Sequence, residues 1–164
     1  MMSKINRHFN GYWERGSWDF CWRIGMESLV VSLPVAVVLA LIFGPGKRTS
    51  LDMSLSLAFF LMIIIAPPIE TLIFQAFPIF IVRSLKGILR IQIIASAVLF
   101  SLAHFSEGIT TGISAGLIGG LYFGFAYARW RAVSSWRAFW VTTVCHIIHN
   151  GIAFIFLAAA GALS

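Results

Sequence analysis

Glu70, His104, His146 and Asn150 are polar side chains set in sequence that is otherwise suited to lipid. Between Ser54 and Val82, Glu70 is the only formally charged residue. An ionisable group inside a bilayer costs about 2.5–3.5 kcal/mol on insertion scales, so each asks for a reason. A carboxylate taken out of water favours its protonated form, which brings a general base toward the neutral range where it works best. An imidazole beside it can hold a water between the two groups. His146 and Asn150 are i and i+4 on one helical face and offer N–H donors to a developing oxyanion. His149 lies close to the same stripe, and Phe100, one turn before His104 in FSLAH, can pack beneath its ring. Carboxylate, water and polar donors are sufficient for peptide-bond hydrolysis without a covalent intermediate. The plainer readings are a helix-start carboxylate at Glu70, satisfied by free N–H groups after Pro68, and inter-helix hydrogen bonds at the histidines and Asn150.

The elements that must carry these groups are apolar runs approaching the ~20 residues that cross a bilayer as helix. Five are expected, over about 27–44, 53–82, 91–106, 109–128 and 138–160. The second contains Pro67 and Pro68, which predict a break beside Glu70, as one kinked span or as a span plus a re-entrant helix. Counted at 1.5 Å per residue from the ends nearest the basic loops, Glu70 stands ~18 Å up, His104 ~20 Å, His146 ~12 Å and Asn150 ~18 Å. Polar groups from three spans thus converge on one slab. Gly108, Gly112, Gly116, Gly120 and Gly124 recur every four residues in the fourth span and predict close packing, against the helix bearing the chemistry or in a dimer through the Gly112/Gly116/Gly120/Gly124 face.

With 59% hydrophobic and 11% charged residues, the chain is expected to be an all-α membrane protein without a soluble domain. The expected division is an interfacial N-terminal helical segment over 1–26 and a transmembrane bundle over 27–164. The first 26 residues show no early apolar region of a cleavable signal. The net charge of +6 does not point to nucleic acid, because the basic residues cluster between spans. Their counts along successive loops, four, two, three, none, three and none, fit a cytoplasmic N-terminus. All six tryptophans fall on that side, where an aromatic belt anchors. Cys21 reads as interfacial and Cys145 as mid-membrane, so no pairing is expected.

The stretches ETLIFQ (70–75), FSLAH (100–104) and HIIHN (146–150) resemble, in order and spacing, the EExxxR, FxxxH and HxxxN motifs of the CPBP/ABI family, the type II CAAX prenyl endopeptidases and their relatives. The resemblance covers roughly residues 55–155. It implies that Glu70 activates water with help from His104, while His146 and Asn150 stabilise the oxyanion. Thr71 stands where the family has its second glutamate and Gln75 where it has arginine, so both charges are absent together. A Thr71–Gln75 hydrogen bond one turn apart is the expected replacement.

The resemblance therefore implies a glutamate-type intramembrane endopeptidase acting on a membrane-anchored peptide or lipidated protein end; the small size favours a bacterial inner membrane over the endoplasmic reticulum. The alternatives are a non-catalytic relative acting as an immunity, partner-binding or scaffold protein, and a small transporter, against which the absence of an internal repeat counts. GISAG (112–116) matches the nucleophile-elbow pattern but lies in the glycine ridge rather than a strand–turn–helix. No cofactor is expected; zinc held by Glu70 and two histidines is the alternative, without an HExxH motif to support it.

Overall fold

The computed structural model describes residue 11 and residues 16–46 and 53–159. Five long apolar helices follow one another: α1 (Ser17–Phe43), α2 (Leu55–Ser84), α3 (Leu89–Glu107), α4 (Ile109–Arg131) and α5 (Ser135–Ala159). No strand occurs among the described residues. Each helix is long enough to cross the ~30 Å hydrocarbon core, and large apolar side chains cover the outside of the bundle, as lipid requires. The chain is an all-α integral membrane protein.

Residues 1–10 and 12–15 of the expected interfacial segment lie outside the described residues. Residues 17–26 are not a separate piece but the first turns of α1. At 27 residues α1 measures ~40 Å, so its beginning, with Trp18 and Trp22 exposed, extends past the hydrocarbon.

At the centre is α4: 61% of its most apolar stretch is buried, against 17–33% in the other four helices. The glycine ridge explains this. A Cβ on Gly116 would stand 2.8 Å from the Ser101 Cα, and one on Gly120 2.9 Å from the Ala97 Cα, both backbone atoms of α3. Only glycine lets α4 approach α3 so closely. The Ser101 hydroxyl donates to the Gly112 carbonyl at 2.8 Å and ties the same pair. The ridge face thus packs against α3 within the chain.

The proline pair does not break α2, which runs helically through Pro67 and Pro68. Two wide π-helical turns, Phe60–Ile65 and Thr71–Ala76, flank the short segment Ala66–Glu70. The first widens the ladder where the Pro67 ring would otherwise meet a carbonyl one turn back. The Ala66 N–H donates to Leu61 and Pro67 has no N–H, so the Met62 carbonyl has no helical donor; Asn150 Nδ2 of α5 donates to it at 3.0 Å. The Phe74 carbonyl, in the second wide turn, accepts from the Ser96 hydroxyl of α3 at 2.9 Å.

Helices α1 and α5 pack where Gly25 meets Ile148. Cys21 and Cys145 are not at separate depths: both are buried free thiols in one core cluster between these helices, and the Cys21 thiol donates to the Val141 carbonyl of α5, one turn before Cys145, at 3.4 Å. The core around them includes Phe20, Ile24, Phe123, Ala126 and Val141.

Candidate active site

A cavity of about 110 Å³ opens among α2–α5, lined by Glu70, His104, Glu107, His146, His149 and Asn150, with Phe100 and Phe123 behind the histidines. At ~30 Å³ per molecule it has room for roughly three or four waters. Glu70 reaches it from the end of the segment between the two wide turns. Such turns recur at functional sites because they aim a side chain that a regular helix would point elsewhere.

The closest charged contact is between Glu70 Oε2 and His146 Nε2, 3.3 Å apart. A carboxylate only accepts, so a neutral His146 that carries its hydrogen on Nε2 would be the donor across this contact. Phe123 stacks on the His146 ring at 4.3 Å between centroids and Phe100 meets it edge-on at 5.7 Å, which fixes the imidazole plane. His146 Nδ1 is buried without a hydrogen-bond partner.

His104 is held differently. Its Nδ1 lies 2.9 Å from the Phe100 carbonyl, which only accepts, so Nδ1 carries the hydrogen and Nε2 is the ring nitrogen left to face the cavity. Phe100 packs on the ring at 4.3 Å. One of the two hydrogens on Asn150 Nδ2 is committed to the Met62 carbonyl, and the amide lines the cavity. His149 Nδ1 is 2.7 Å from the Ser28 hydroxyl, which donates to the Gly25 carbonyl at 2.8 Å; α1 thereby sets the His149 ring.

Thr71 and Gln75 are fully buried, yet Thr71 Oγ1 and both amide atoms of Gln75 have no hydrogen-bond partner. The expected bond between them is absent. They lie in the wide turn Thr71–Ala76, where the ladder runs i to i+5 and residues four apart no longer stack. In the GISAG stretch, Ser114 is buried and its hydroxyl donates to the Thr110 carbonyl at 2.6 Å, a helix-internal bond rather than a nucleophile's.

Glu107 was not among the residues expected from sequence. Its position three residues after His104 placed it on the same helical face, and that spacing was the available signal. Among the described residues, no three His, Cys, Asp or Glu are placed to hold a metal ion.

A family model for Rce1-like type II CAAX prenyl endopeptidases matches residues 52–152, more than half of the sequence and all three motifs. The chain belongs to the Rce1-like family. Neither a curated protein nor a solved structure matches it. Membership carries the coarse reading of a CAAX-type intramembrane protease, and Rce1-like proteins as a family are proteases. The matched region runs from the start of α2 into α5 and contains every residue that lines the cavity except Ala153.

Proposed function

We propose that this Rce1-like chain is an intramembrane endopeptidase that cleaves a membrane-anchored peptide or lipidated protein end, in a bacterial inner membrane. The observation that carries the reading is the Glu70–His146 contact of 3.3 Å opening on one cavity with His104 and Asn150. Glu70 takes a proton from water while His104 Nε2 orients that water. The water oxygen attacks the substrate carbonyl and an oxyanion forms. As Glu70 accepts the proton it loses the charge that held the His146 N–H. That donor then turns to the oxyanion, joined by the remaining hydrogen on Asn150 Nδ2. Collapse breaks the C–N bond, and Glu70 returns the proton to the leaving amine. The sequence of steps needs no metal.

An apolar groove of about 230 Å³ between α1 and α5, with Leu33, Ala36 and Phe156 in its wall, meets the cavity at Ala115, His149 and Ala153. A greasy anchor in the groove would present the adjoining backbone to Glu70, which supports the membrane-anchored substrate class.

The test is mass-spectrometric detection of product from lipidated and membrane-anchored peptides, using protein in nanodiscs. Glu70→Gln should abolish product, at least 1,000-fold, with folding retained. Equal product from wild type and Glu70→Gln would end the hydrolytic reading. One observation favours a binding-only relative instead: the positions of the family's acidic–basic pair, Thr71 and Gln75, are buried and unpartnered. That reading expects the cellular phenotype to survive Glu70→Gln.

A further inference from the structure

We propose that Glu107 makes the cavity selective for a positive charge beside the scissile peptide bond: a lysine or arginine side chain, or a free amine. The inference rests on the hydrolytic reading above and adds the substrate's charge to it.

Two carboxylates line the cavity, Glu70 from α2 and Glu107 from the end of α3, and among the described residues no lysine or arginine does. Glu107 ends a tight turn, Phe105–Glu107, directly before Gly108, whose φ of +107° lies in the left-handed region that favours glycine. The chain reverses there, so the carboxylate at the end of α3 lines the same space as His104. Among the described residues Glu107 makes no ion pair, in contrast to Asp19, which holds Arg23 at 3.0 Å.

Division of labour follows from the partners. Glu70 faces His146 and is committed to the reacting water. Glu107 has no such commitment and stands at the hairpin end of the cavity. Glu107 is half-buried at the cavity, where a second negative group attracts a cation and repels a substrate carboxylate, so it discriminates by attraction and repulsion together. The second carboxylate of this cavity comes from α3, since position 71 holds threonine.

The test uses full-length protein in phosphatidylcholine nanodiscs and N-palmitoylated hexapeptide amides. Lysine, norleucine or glutamate is moved through each position, with empty nanodiscs as the control for membrane binding. At one position the wild type should bind the lysine peptide at least tenfold tighter than the norleucine peptide, and the glutamate peptide weakest. The lysine-to-norleucine ratio should fall toward one in Glu107→Gln. Glu107→Lys, a second variant should the first fail to fold, should prefer glutamate. No lysine preference at any position in wild type, or a preference that survives both variants, overturns the proposal. Product is followed in the same samples. Charge preference without product sinks the hydrolytic reading and keeps Glu107 as a selector; product without charge preference does the reverse.

Discussion

Asn150 holds two tasks in one amide: it caps the Met62 carbonyl and supplies a hydrogen to the cavity. Leucine at this position removes both. A buried carbonyl left without a donor costs about 1–3 kcal/mol, and the lost oxyanion donor about 2.7–4 kcal/mol of transition-state stabilisation. Asn150→Leu should therefore lower the unfolding midpoint in nanodiscs and lower turnover roughly 100-fold or more. An unchanged midpoint would mean that the Met62 carbonyl finds another donor. The sequence placed His146 and Asn150 on one face, because that needs only the 3.6-residue period. It did not announce the cap, because an orphaned carbonyl at Met62 depends on the local widening of another helix. Glu107 stands three residues after His104, but the helix tightens over Phe105–Glu107 and the chain reverses at Gly108, so the helical period alone did not assign it to the cavity.

At the scale of the element, the five spans are written in hydropathy, and the structure extends most of them by several residues into the polar border. The path of α2 through Pro67 and Pro68 was not legible. Proline rules describe a regular ladder, whereas here the ladder is already widened on both sides of the pair. Pro67→Ala returns an N–H to position 67 and favours regular α-helical spacing. That change should swing Glu70 away from His146, so turnover should drop at least tenfold while the unfolding midpoint holds or rises. Retained turnover would show that the wide turns do not aim Glu70. The glycine ridge offers a contrast within α4. A Cβ at Gly116 meets α3 backbone at 2.8 Å, whereas one at Gly119 meets only Phe123 and Phe100 ring atoms, at 3.5 Å and beyond. Gly116→Val should leave little folded protein by size-exclusion chromatography, and Gly119→Ala should fold normally. Equal behaviour of the two would remove the close-packing account. Spacing by fours marked the ridge as a packing face, but a repeat of this kind does not say whether its partner lies in the same chain.

Across the whole molecule, α1 joins the site indirectly: Ser28 sets His149, and Tyr122 of α4 donates to Glu27 at 3.0 Å. The first helix lies outside the family match, yet it walls the apolar groove that meets the cavity. The proximity of Cys21 to Cys145 follows from the same pairing of α1 with α5, and counting depth along separate spans concealed it.

The capping of α2 by its neighbours also bears on how the protein is made. A helix entering lipid normally arrives with its backbone satisfied, but α2 arrives with the Met62 carbonyl bare. The residue that covers it lies 88 positions later in the chain and reaches the translocon only after two further spans. During synthesis α2 must therefore wait, sheltered by water, by the insertion machinery or by a provisional partner. A nascent chain arrested before α5 would expose that carbonyl to lipid and mark itself for membrane quality control.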